Sequence, residues 1–301
     1  MKHQWAHVME YLAVRSLSGL LAALPHRAAL ALVWGPVRLV WAVNGKLRKR
    51  TRQRLRQALG AEKSDRELAR IGWLAFRNLA FTAVESLRLP GIDRAWVDRH
   101  IAKGEIHEVH AELAKGRGLI LAVPHMGNWE LAGIALQSQG VNLITLVRKQ
   151  KNPLMDRWIN RLRTGTGVEA IDTHSRDIGA VARKLNAGNK VLTILPDVRA
   201  KAGGVDVTFL GVRTEIPGGL VHYARKAGLP ILTAEVVRTG WLRHGWRKTG
   251  RIEPDGALDE AADARRILQY VMDRFSESVR AHPENYFWFN KRWVLGAESK
   301  P

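Results

Sequence analysis

An imidazole at His125 and a carboxylate at Glu130, five positions on, stand in the stretch Leu119-Ile120-Leu121-Ala122-Val123-Pro124-His125-Met126-Gly127-Asn128-Trp129-Glu130-Leu131. An uncharged His beside an ionised acid is a general base with an orienting partner, suited to removing a proton from a hydroxyl. Two elements must hold them. Leu119 to Val123 is an unbroken apolar run of strand length, as expected for a strand covered on both faces. Asn128 can then cap a helix whose apolar Leu131, Ile134 and Ala135 recur at helical spacing and which stops at Gly140. His125 thus falls beyond the strand's carboxyl end. Glu130 falls in the first helical turn, where the helix dipole favours a carboxylate and disfavours a charged imidazole. The same residues also suit a plain turn, with His125 filling it and Glu130 a solvated first-turn acid.

After Gly140 strand and helix patterns alternate. Strand Asn142 to Val147 ends at Arg148, helix Pro153 to Arg163 stops before Gly165, and strand Val168 to Ile171 follows. Helix Arg176 to Ala187 then stops at Gly188, and strand Val191 to Leu195 ends at Asp197. This alternation predicts an α/β fold with a mostly parallel central sheet flanked by helices. His125, Arg148 and Asp197 then share the carboxyl edge of the sheet, where ligands bind in such folds. Asp197 could accept a hydrogen bond from His125 and fix its tautomer, or simply cap a strand end. Arg148 could hold a phosphate or a developing oxyanion, or form a surface ion pair. Further on, Ile216-Pro217-Gly218-Gly219 opens helix Leu220 to Lys226, and the free amide at Gly218 suits an anion or a carbonyl oxygen as well as a plain cap. His222 reads as structural. Strand Ile231 to Arg238 has a hairpin partner in Trp241 to Arg251, helix Ala257 to Ala281 follows, and aromatic Tyr286 to Trp293 packs under the sheet.

The N-terminal part reads differently. Tyr11 to Val43 is apolar but broken by Pro25-His26-Arg27 and by Gly35-Pro36 with Arg38, so neither piece reaches the roughly 18 to 20 uncharged residues of a membrane span. Nor does it carry the cleavage pattern of a signal peptide. Amphipathic helices lying in a bilayer surface are expected, followed by the cationic series Lys46, Arg48, Lys49, Arg50, Arg52, Arg54 and Arg56, which anionic lipid attracts. Helix Glu67 to Leu87, a short strand Trp96 to Ile101 and a helix Glu105 to Lys115 lead into the central strand. The expected division is residues 1–60 for the membrane-associating helices and basic cluster, and 61–301 for the α/β domain.

Composition narrows the function. Formal net charge is +20, from 48 Lys and Arg against 28 Asp and Glu, so the chain attracts acidic partners. The 11 Trp outnumber 6 Phe and 4 Tyr, which fits a protein at a membrane interface and, with no nucleic-acid motif present, argues against nucleic acid. The absence of Cys removes disulfides, thiolate metal sites and a Cys acyl-enzyme. With no Gly-x-Ser-x-Gly elbow either, direct attack without a covalent intermediate is expected, with no metal and no cofactor.

Pro124-His125-Met126-Gly127-Asn128-Trp129-Glu130 resembles the His-four-residues-acid motif of the bacterial late acyltransferases of lipid A biosynthesis, which the mycobacterial phosphatidylinositol mannoside acyltransferases share. The resemblance extends, in order, to Val147-Arg148 with Asn152-Pro153-Leu154-Met155-Asp156, to Leu195-Pro196-Asp197, to Val207 through Gly211 with Pro217-Gly218, and to Tyr286 through Trp293. Two positions depart from the family pattern, Asp197-Val198-Arg199 where Asp-Gln or Asp-Gln-Asp is usual and Asn290 where His or another residue is usual, which leaves the acceptor lipid open. The resemblance implies a glycerolipid-acyltransferase-like fold at the cytoplasmic face of the bacterial inner membrane. It implies acyl transfer from acyl carrier protein or acyl-CoA to a glycolipid, with Glu130 as the partner of His125 and the Asp197 acid in support, and with Asn128 supporting or binding substrate. Transfer to another polar lipid, thioester or ester hydrolysis by the same base, and a basic membrane-binding protein without catalysis are the alternatives.

Overall fold

The computed structural model describes residues 2–102, 106–147, 149–172 and 177–296. Four helices come first: α1 (Lys2–Ala23), α2 (His26–Val43), α3 (Gly45–Leu59) and α4 (Asp65–Leu87). α4 starts at a capping box, in which the Ser64 hydroxyl accepts from the Glu67 backbone amide and the Glu67 carboxylate accepts from that of Ser64. Leu21, Ala29 and Leu30 of α1 and α2 are buried against Phe81 and Val84 of α4. Leu55 and Leu59 of α3 enter the same core as Ile120 and Trp288, on the far side of the division expected at residue 60. No single described helix is long and apolar enough to cross a membrane; α2 and α3 together reach the required length but bend by 84°. Among the described residues the exposed large apolar side chains all lie on α1 and α2, from Trp5 at 69% to Val43 at 72%.

The segment expected as a strand at Trp96 to Ile101 is instead helix α5 (Arg94–His100). Asp93 caps it, accepting from the Trp96 amide at 2.7 Å, and Arg94 pairs with Asp98 one turn on. An apolar run this short fits either element, and here burial of Trp96 and Val97 against Leu131 and Ala135 decides it. α6 (Ile106–Leu113) then leads to β1 (Leu119–Ala122), whose four residues are all buried.

From β1 the chain runs through α7 (Trp129–Ser138), β2 (Asn142–Val147), α8 (Pro153–Gly165), β3 (Glu169–Asp172), α9 (Ile178–Asn186) and β4 (Lys190–Ile194). A hairpin of β5 (Val205–Phe209) and β6 (Val212–Ile216) precedes α10 (Gly219–Ala227), β7 (Ile231–Arg238), β8 (His244–Ile252) and α11 (Glu260–Ala281). The main sheet has the order β3-β2-β4-β1-β7-β8. All neighbours are parallel except β7 and β8. The fold is therefore α/β with a mostly parallel sheet flanked by helices, as the alternation of patterns requires.

Candidate active site

Register brings the two halves of the site together. β1 and β4 are adjacent and parallel, with Ala122 opposite Ile194. Three residues beyond each of these come His125 and Asp197, side by side at the carboxyl edge. The His125 ring nitrogen Nδ1 lies 2.8 Å from Asp197 Oδ1, and the His125 backbone N–H donates to Oδ2 at 2.9 Å. With Nδ1–H given to the carboxylate, Nε2 keeps its lone pair for a substrate proton. The ring is 21% exposed, whereas the Asp197 side chain is wholly buried. Trp129 meets the ring edge-on at 5.3 Å and Phe287 stands 6.3 Å away.

The acid is held in turn. Buried Tyr286 donates its hydroxyl to Asp197; burial first, and then the charge of Asp197, push the phenol well above its ordinary pKa. Around the turn, the Phe287 N–H donates to the His125 carbonyl and the Gly127 N–H to the Asn285 carbonyl, both at 2.8 Å. Gly127 has φ +60, and a Cβ there would sit 2.4 Å from the Val236 carbonyl oxygen, so only glycine fits. For His125, burial alone lowers the pKa, but the charge and hydrogen bond of Asp197 outweigh it and raise the imidazole above its ordinary value.

Glu130 has a different partner. It lies in the first turn of α7 as expected, but its carboxylate accepts from Arg163 at the end of α8, with Nη2 at 2.8 Å and Nε at 3.3 Å. The orienting contact to His125 is made by Asp197, which reverses the order in which the sequence resemblance ranks the two acids. Glu130 and Arg163 instead line a largely apolar cavity together with Trp129, Ile134, Leu143 and Leu195.

Asn128 is buried, at 1% exposure. It caps α7 through the Leu131 amide and gives its own amide to Glu85, so its part is support rather than substrate contact. Gly218 opens α10 with Val205 and His222 as the nearest neighbours of the place a Cβ would take. Arg148 lies outside the described residues. His222, read as structural, pairs at the surface with Glu260. Arg163, Tyr286 and Glu85 are the residues that spacing misses. Arg163 had no signal beyond its place at a helix end, and Tyr286 stood in an aromatic block whose composition speaks only of packing. No group of three or more His, Cys, Asp or Glu that could hold a metal occurs among the described residues.

Over 215 residues, 70% of this chain, the sequence is 29% identical to the phosphatidylinositol mannoside acyltransferase of Mycobacterium tuberculosis, a match spanning 66% of that protein, just under two thirds of its length. It is 25% identical over 214 residues to the enzyme of that name from Mycolicibacterium smegmatis, covering 70% of this chain and 68% of the relative. The lipid A biosynthesis acyltransferase of Haemophilus influenzae is 28% identical over 186 residues, 60% of this chain and 55% of that one. Among solved structures, the 1-acyl-sn-glycerophosphate acyltransferase PlsC from Thermotoga maritima aligns over 91% of this chain and 98% of its own at a TM-score of 0.37 and 14% identity. The family model for bacterial lipid A biosynthesis acyltransferases matches residues 3–294, and the chain belongs to that family.

Proposed function

We propose that this protein moves a fatty acyl group from a thioester, carried on acyl carrier protein or coenzyme A, to a hydroxyl of a membrane glycolipid. His125 Nε2 takes the hydroxyl proton as the oxygen attacks the thioester carbonyl; Asp197 fixes the tautomer and stabilises the imidazolium that forms. The tetrahedral centre then collapses, the carbon–sulfur bond breaks, and the imidazolium returns the proton to the thiolate. Trp129 borders both the His125 ring and an apolar cavity that it lines with Leu195, and Glu130 and Arg163 line the same cavity. The observation that carries the reading is the 2.8 Å contact between His125 Nδ1 and the buried Asp197 carboxylate, on a ring that keeps 21% exposure at the carboxyl edge of the sheet.

Delivery follows from the surface. Large apolar side chains exposed along α1 and α2, next to the cationic α3, suit an interfacial position in which the helices lie in the acyl boundary and the basic groups meet anionic headgroups. The expected location is the cytoplasmic face of the bacterial inner membrane, where both thioester donors are made available. Net charge of +20 speeds encounter with either acidic donor. Purified protein, supplied with acyl-CoA or acyl carrier protein thioester and with a lipid A precursor or a mannosylated phosphoinositide, should yield an acceptor heavier by one acyl group by mass spectrometry. Thioester hydrolysis at a comparable rate without acceptor would replace this reading with a hydrolase. Vesicle binding with neither transfer nor hydrolysis would leave a membrane-binding protein.

A further inference from the structure

Behind the catalytic turn lies a dry cluster of charged groups that the proton chemistry does not use. Glu85 of α4 is fully buried. Arg238, at the end of β7, grips it with both terminal nitrogens, at 2.9 Å and 2.5 Å. His244 of β8 stands 3.2 Å from the same carboxylate, and His26 of α2, stacked on Trp96, stands 3.7 Å away. The remaining partner is the Asn128 amide at 2.7 Å. Thus α2, α4, β7, β8 and the turn before α7 each send one side chain to a single point.

A buried ion pair is poor evidence of stabilisation, since desolvation offsets most of its attraction. Nor does capping α7 need it: the Asn128 oxygen on the Leu131 amide, at 3.0 Å, is enough. What Glu85 adds is direction. An ionised carboxylate only accepts, so it takes the Asn128 NH2 and turns the side-chain oxygen toward the helix. The neighbouring residue is tied as firmly. The Gly127 carbonyl accepts from Thr82 at 3.3 Å, and its N–H donates to Asn285, whose side chain accepts from the Arg238 amide at 2.7 Å. Both backbone polar atoms of Gly127 are therefore fixed by α4 and by the segment after α11, while the Asn128 amide bridges Glu85 of α4 to the Leu131 amide of α7. His125 lies two residues before this anchor, and Trp129 and Glu130 follow directly after it.

We propose that Glu85 is a positioning residue which, acting through Asn128, sets the His125 turn and the first turn of α7 at the distance that acyl transfer requires. The inference rests on His125 being the base. It also gives α2 a second task, because His26 closes the cluster from the helix that bears exposed apolar groups.

Asn128→Ser keeps a cap acceptor but cannot reach Glu85. Its circular dichroism and melting temperature should stay near wild type, while kcat falls about 10- to 100-fold and both KM values change by less than about twofold. A paired change, Glu85→Leu with Arg238→Met, removes both charges and strands neither. It should give a similar loss in kcat, and the triple variant should lose little more, because the groups act in series. A kcat per folded molecule within about twofold of wild type would overturn the proposal. So would a raised KM with kcat unchanged, losses that multiply in the triple variant, or failure of both variant sets to fold, which would make the cluster purely structural. Wild-type protein that transfers no acyl group to any acceptor would refute the functional reading first and this inference with it, so the two failures are told apart by the unmutated enzyme.

Discussion

The carboxyl edge of the sheet and the α1–α2 layer solve opposite problems. At the edge, Asp197, Glu85, Asn128 and Arg238 are buried and held by partners of matched charge or hydrogen-bonding sense. On α1 and α2, Trp5, Met9, Leu39 and Val43 face outward and are 63% to 72% exposed. Burying polar groups costs free energy unless each is satisfied, and exposing large apolar groups to water costs it too. The first arrangement suits the proton transfer proposed for His125; the second suits the proposed position at a bilayer surface. α2 takes part in both, with Leu30 and His26 facing inward and Leu39 and Val43 outward.

The sharpest break between the two regions comes from His125→Ala. Transfer should fall by about 10³-fold or more, measured as acylated product, while sedimentation with anionic vesicles stays as in wild type. Asp197→Asn should cost about 10²-fold or more in kcat, since an amide no longer enforces the tautomer. It also reports on pH. Asp197 raises the His125 pKa above the ordinary 6.5, and the base works uncharged, so wild-type kcat/KM should climb with pH through a midpoint above 6.5. Without the carboxylate only burial remains, and that midpoint should move down. The same upward shift stabilises the fold below the unfolded-state pKa, a contribution lost as pH rises through the folded one.

Glu130→Gln should lower kcat only about tenfold, because it loosens the grip on Arg163 and leaves the imidazole's partner in place. A loss equal to that of Asp197→Asn would instead make Glu130 the working acid. Within α2, Leu39→Glu with Val43→Glu should weaken vesicle binding about tenfold at unchanged melting temperature. Leu30→Ala, on the buried face of the same helix, should cost about 2 to 5 kcal/mol of stability by denaturant titration. Equal effects from the two faces would erase the contrast.

Local pattern carried much of this. The strand, turn and helix around His125 were legible because a doubly covered strand and a capped helix leave strong local marks, and the parallel sheet followed from the alternation after Gly140. The run from Trp96 to Ile101 folds as a helix rather than the expected strand because the Asp93 cap outweighs an ambiguous apolar pattern. Which acid meets His125 was not legible. That depends on β4 entering the sheet beside β1 in a register that sets residues 125 and 197 abreast, and no local spacing encodes strand order. Glu85 was hidden for a like reason: its partners His26, Asn128, Arg238 and His244 are scattered over most of the chain and meet only in the folded molecule.

The position of β4 also shapes how the molecule is made. β1 and β2 leave the ribosome first yet never pair with each other; they must wait, about 10 Å apart, for a strand that is synthesised tens of residues later. Until that strand slots in, a nascent chain carries raw hydrogen-bonding edges on its most apolar segments, the kind of surface on which chains stick to one another. Truncations ending before residue 190 should therefore aggregate, whereas release of β4 joins β1 to β2 and sets residues 125 and 197 abreast in the same event.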